Sequence, residues 1–157
     1  MKVLFVCYAN VGRSQVAQTY FATLSKHDSD SAGIAVNERI AAMKLPSRKL
    51  KDNLSQRSVE YVRREFSVNI AEKERQQLTP EMVEKSDLAI VIAEKERWPD
   101  YLKEGDKVLF WDIQDPAGMA DDLADEGNAQ ADRKHATSHD RQCHRSRPRI
   151  SFHALAY

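Results

Sequence analysis

Cys7 and Arg13 stand six positions apart in the run Cys7-Tyr8-Ala9-Asn10-Val11-Gly12-Arg13-Ser14. A thiol opens this segment and a guanidinium nearly closes it, a pairing suited to a phosphate-sized oxyanion. Arg13 offers a planar fork to two oxygens at once. Cys7, held as a thiolate, is a nucleophile. Loop amides and a helix N-terminus add donors and positive potential. Alone, a cysteine at a strand end is more often a small buried hydrophobe. Arg13 and Ser14 in register favour chemistry instead.

Parallel strands and helices are needed to hold such a loop. Lys2 to Cys7 reads as a buried strand, short and rich in Val, Leu and Phe. Arg13 to about Lys26 reads as a helix with Val16, Ala17, Tyr20, Phe21 and Leu24 on its apolar face. Asp28 to Ile34 reads as a turn followed by a short second strand, Ser31-Ala32-Gly33-Ile34. Residues 35 to 53 give weak signals, and Pro46 breaks any long helix there. Val59, Val62 and Phe66 at helical spacing predict a helix over Ser55 to Phe66. Thr79-Pro80-Glu81 is a helix start, with a cap, a proline in the first turn and an acid beside it. Asp87 to Ala93 and Lys107 to Trp111 are further strands, the second running into Asp112-Ile113-Gln114-Asp115-Pro116-Ala117-Gly118. Short apolar strands alternating with helices predict a three-layer α/β sandwich with a central four-stranded parallel sheet. Ligands in such sheets bind beyond the carboxyl ends of the strands. Cys7 and Asp115 both fall there, so one rim can hold both.

The chain has 157 residues, enough for one core, and its 24 basic and 24 acidic residues balance. No global field therefore points to nucleic acid or a membrane surface. No segment is apolar for long enough to span a bilayer. Cys7 and Cys143 are the only cysteines, which fits a reducing cytoplasm better than a disulfide scaffold.

Cys-x5-Arg-Ser after a strand, with Asp115-Pro116 far downstream, resembles the low-molecular-weight protein tyrosine phosphatase family, which includes arsenate reductases of the same fold. The resemblance covers most of residues 1 to 118, including Ser31-Ala32-Gly33, Leu78-Thr79 and the strand from Asp87. It implies that Cys7 is the nucleophile and passes through a phosphocysteine. Arg13 would clamp the equatorial oxygens, and Asp115 would act as general acid and then base. Ser14 would hydrogen-bond the sulfur, and Asn10 would take a left-handed conformation that lets the loop curl. Phosphate would sit on Tyr8, Ala9, Asn10, Val11, Gly12, Arg13 and Ser14. No metal or cofactor is required. The substrate would be a phosphorylated protein or a small phosphomonoester.

Several positions depart from the family pattern. Ala117 and Gly118 stand where its phosphatases carry aromatics that wall a phenyl ring, and residues 34 to 50 hold no aromatic either. Tyr8 remains to present a ring at the mouth. Asp-Pro-Ala-Gly looks like the arsenate-reductase branch, but residues 87 to 106 lack the cysteines of its relay. The alternatives are thus an arsenate reductase drawing on an external thiol donor, or a non-catalytic phosphate-binding relative. Gly12 stands where the family often has a second loop cysteine. Lys73 stands where a histidine often braces the loop.

The domain is expected over 1–125, followed by an atypical polar segment over 126–157, read as disordered or weakly packed. From Glu126 to Arg149 there is no Leu, Ile, Val, Met, Phe, Tyr or Trp, so no helix there can bury a face. A shifted reading frame near Asp125 would account for the change. His135, His139 and Cys143 fall at helical spacing suited to zinc, and Arg141, Arg145, Arg147 and Arg149 are basic. Both groups are read as parts of a solvated tail.

Overall fold

The computed structural model describes residues 1–113. Expectations for Asp115, Ala117, Gly118 and the segment 126–157 lie outside the described residues. The chain runs β1 (Lys2–Cys7), α1 (Arg13–Leu24), β2 (Asp28–Gly33), α2 (Val36–Ala42), α3 (Arg57–Phe66), α4 (Pro80–Lys85), β3 (Leu88–Val91) and β4 (Val108–Phe110). Single 3-10 turns at Leu50–Asp52 and Lys95–Arg97 complete it.

The four strands form one sheet in the order β2-β1-β3-β4, and every pair is parallel. β1 is interior, which explains why five consecutive residues, Val3 to Cys7, are buried. Strand periodicity sends them to opposite faces. Val3 and Phe5 join Val16, Ala17 and Phe21 of α1 and Val59, Tyr61 and Val62 of α3. Leu4 and Val6 join Ala89 and Val91 of β3, Leu78 and Val108, with Met82 and Val83 of α4 packed alongside. Helices on both faces make the expected three-layer sandwich.

Details differ from the sequence expectations for local reasons. α1 ends at Leu24, where the Ser25 N–H closes on the Phe21 carbonyl and the chain turns extended. Leu24 is therefore 62% exposed, while Gln15 and Thr19 are buried on the same helix. The Thr19 hydroxyl is satisfied by donating to the Gln15 carbonyl. β2 begins already at Asp28, because pairing with Lys2 of β1 extends the ladder into the polar end. The weakly marked stretch after Ala35 contains α2, which buries only Val36 and so carries little periodic signal. α4 starts as expected, with the Thr79 hydroxyl accepting from Met82 N and Pro80 in the first turn. The β3 ladder closes at Val91, although Ile92 and Ala93 stay buried.

Candidate active site

The loop from Cys7 to Arg13 leaves the carboxyl end of β1 and enters α1, with Gly12 at the helix cap. Its carbonyls are braced from around it. Those of Cys7 and Tyr8 accept from Ile34 N (3.0 Å) and Ala35 N (2.9 Å). That of Asn10 accepts from Gln15 Nε2 (3.3 Å), that of Val11 from the Ser58 hydroxyl (2.8 Å), and that of Gly12 from Val16 N (3.0 Å). All described peptide bonds are trans, so each following N–H points opposite to its carbonyl. The amides of Tyr8, Ala9, Val11, Gly12 and Arg13 are thus turned away from the groups that brace the preceding carbonyls, an orientation suited to an anion.

Asn10 makes the curl possible. Its φ is 52°, the left-handed region that asparagine tolerates better than most residues. That turn aims Asn10 N at the Cys7 sulfur, 3.3 Å away. The Asn10 amide is itself held. Its oxygen accepts from Gln76 N (2.9 Å) and Gln15 Nε2 (3.0 Å), and its nitrogen donates to Ser14 Oγ (2.9 Å). Ser14 Oγ is also 3.0 Å from Cys7 Sγ. Since Asn10 already donates to that oxygen, the Ser14 proton is available to the sulfur. The thiol is buried, 3% exposed, at the floor of the loop.

Arg13 is anchored at the far end of the same rim. Its Nη1 donates to the carbonyls of Ile92 and Ile113 (both 3.0 Å), and Nη1 and Nη2 both reach Glu94 Oε1 (3.2 Å). Burial pushes the Glu94 carboxyl up. Its own backbone N–H and the Arg13 guanidinium more than offset that, leaving it below the ordinary carboxylate range. Tyr8 carries the guanidinium of Arg97 over its ring at 4.4 Å.

The structure therefore brings together Cys7, Asn10, Ser14 and Arg13 with the rest of the loop. Lys73 does not brace it. That lysine donates to Gln18 on α1, and burial holds its ammonium below the usual lysine value. The Gln76 backbone and the Gln15 side chain take the bracing role. Sequence reasoning missed Gln15, Ser58, Glu94 and Arg97. Glu94 alone gave a signal, as an acid closely following an apolar strand on the binding rim. Gly33 is also part of the site. A Cβ there would lie 2.7 Å from Asn10 N and 2.9 Å from the Ala9 carbonyl carbon, so the loop can seat on β2 only against glycine. Among the described residues no cluster of His, Cys, Asp and Glu could hold a metal ion, and no helix is long and apolar enough to cross a membrane.

A thiol bonded by an amide and a hydroxyl, inside a loop ending in a fixed guanidinium, defines a class: cysteine-based phosphate-loop proteins on a parallel α/β sheet. The fold is that of the low-molecular-weight protein tyrosine phosphatases, and the chain is similar to solved members of that family. The low-molecular-weight protein tyrosine phosphatase from T. tengcongensis superposes with a TM-score of 0.58 at 25% identity, over 78% of this chain and 86% of that one. Wzb of Vibrio vulnificus, solved with benzylphosphonate, gives 0.54 at 23% identity, over 85% and 97%. The YwlE arginine phosphatase from Geobacillus stearothermophilus gives 0.53 at 17% identity, over 92% and 99%. No protein-family model matches the chain, and no curated protein does.

Proposed function

We propose that the protein is a cysteine-dependent phosphomonoester hydrolase of the protein-tyrosine-phosphatase type. The observation that carries this reading is the Cys7 sulfur, held at once by Asn10 N and Ser14 Oγ on the floor of a braced loop. Both contacts hold the sulfur in place for attack on phosphorus.

The reaction has two steps. The Cys7 thiolate attacks phosphorus, an S–P bond forms, and the bond to the leaving oxygen breaks. Asp115 supplies the proton that oxygen needs. Water then attacks phosphorus while Asp115 takes its proton, the S–P bond breaks, and inorganic phosphate leaves. Arg13 and the loop amides hold the non-bridging oxygens through both steps, where charge spreads in the transition state. Support for Asp115 comes from Ile113, two positions before it, whose carbonyl accepts from Arg13. The substrate is a phosphorylated protein side chain or a small phosphomonoester. Hydrolysis needs no external thiol donor, metal or cofactor. A cytoplasmic setting, which keeps thiols reduced, suits a nucleophilic cysteine.

The test is para-nitrophenyl phosphate hydrolysis by the wild type and by Cys7→Ser under reducing conditions. Turnover without added thiol, abolished in Cys7→Ser, is expected. Turnover of arsenate that depends on an added thiol, with no phosphate release, would move the protein to the reductase branch.

A further inference from the structure

Tyr8 follows the nucleophile directly, and one face of its ring is already occupied. The Arg97 guanidinium lies over it at 4.4 Å, a cation–π distance. Arg97 closes the 3-10 turn Lys95–Arg97, whose start is tied by the Arg97 N–H to the Glu94 carbonyl (3.0 Å). Its Nε faces Glu94 Oε2 at 3.7 Å, while the other oxygen of that carboxylate holds Arg13. Two guanidiniums therefore share one carboxylate. Nη1 and Nη2 of Arg97 have no partner among the described residues. Arg97 is thus held by its ring stack and its inner nitrogen, with its outer fork presented to solvent. A guanidinium so held loses less freedom on engaging an anion than a mobile one.

We propose that Arg97 is a specificity-determining residue that selects phosphorylated peptides bearing a carboxylate beside the phosphorylated side chain. The inference rests on the phosphatase reading of the same site. The phosphoryl group occupies the loop and Arg13, and the flanking carboxylate meets the outer fork of Arg97. The absence of aromatics over residues 34 to 50 agrees with this. The ring next to the loop offers a cation on one face, where a bare ring would offer only apolar contact.

The experiment compares two matched phosphotyrosine peptides, one flanked by Asp and Glu and the other by Asn and Gln. The readout is the ratio of their kcat/KM values within each variant, so a general loss of activity cancels. At low salt the wild type is expected to favour the acidic peptide about fivefold, the upper range for a solvent-exposed ion pair. Arg97→Gln should bring the ratio to about one, and Arg97→Lys should keep part of it, because charge rather than packing is at work. A ratio of about one in the wild type, or an undiminished ratio in Arg97→Gln, would overturn the proposal. Absence of hydrolysis of both peptides and of para-nitrophenyl phosphate would instead defeat the phosphatase reading. The ratio is then read as Kd by calorimetry on Cys7→Ser, where about fivefold tighter binding of the acidic peptide supports Arg97 selection and equal binding overturns it.

Discussion

The Ser14 hydroxyl lies 3.0 Å from the Cys7 sulfur and receives a hydrogen bond from the Asn10 amide, which leaves the hydroxyl proton available to that sulfur. In the second step this bond stabilises the departing thiolate. Ser14→Ala should therefore slow hydrolysis of the phosphoenzyme more than its formation. Steady-state kcat should fall by about 10- to 100-fold, the scale of losing one donor at a site of developing charge. Rapid-quench kinetics should show a burst of nitrophenol absent from the wild type. An equal slowing of both steps would assign Ser14 a purely structural role.

Gly33 sets how closely the loop approaches β2. A methyl group there would press on Asn10 N and on the Val36 side chain, each 2.7 Å away, so the loop must shift. Gly33→Ala should cost about 100-fold in kcat/KM, the scale of displacing a catalytic group by an ångström. Circular dichroism should still report a folded chain, since the sheet itself does not need to move.

Glu94 holds Arg13 through both terminal nitrogens. Glu94→Gln should lower kcat/KM by about tenfold, because Arg13 keeps its carbonyl partners but loses its charged one. The folded carboxyl sits below its ordinary value of 4.5. Its contribution is therefore complete above that value and is lost only as pH falls through the lower folded one. The profile from about pH 5 to about pH 8 should drop in height without changing shape. A new inflection inside that window would contradict this assignment.

Glu72 gives a stability prediction of the same sign. Hydrogen bonds from Lys49 and then from Lys51, with their charges, lower its carboxyl from 4.5 to about 2. The contribution is present above 4.5 and fades as pH falls toward 2. Comparing Tm against pH for wild type and Glu72→Gln should show the two curves converging in that window. Because the group is exposed, the difference should be small and should shrink in high salt.

Asp115 is assigned to proton transfer at the leaving oxygen. Asp115→Asn should slow alkyl phosphates by about 100- to 1,000-fold, within the range for losing a general acid. A nitrophenyl ester, whose leaving oxygen needs little protonation, should suffer less in the first step. Equal losses for both esters would give the acid role to another residue.

The strands were legible in the sequence because β1 and β3 lie inside the sheet and read as unbroken apolar runs. The loop was legible because Cys7, Asn10, Arg13 and Ser14 are neighbours in the chain. What escaped was brought in from far away. Ser58 reaches Val11 across 47 positions, Gln76 reaches Asn10 across 66, and Glu94 reaches Arg13 across 81. Gln76 acts through its backbone, so no side-chain pattern could announce it. Gln15 was hidden for another reason: it is polar yet 1% exposed, against the usual preference of that residue type. α2 was missed because burying Val36 alone leaves no periodic face.

The central claim is that phosphate passes through a covalent bond to the Cys7 sulfur. The most direct measurement is intact-protein and peptide mass spectrometry of Ser14→Ala, quenched during turnover of para-nitrophenyl phosphate. The account predicts one phosphoryl group on the peptide containing Cys7, absent from Cys7→Ala/Ser14→Ala treated identically. Continued phosphate release from a Cys7→Ser single variant, with no phosphoryl group ever found on Cys7, would contradict it.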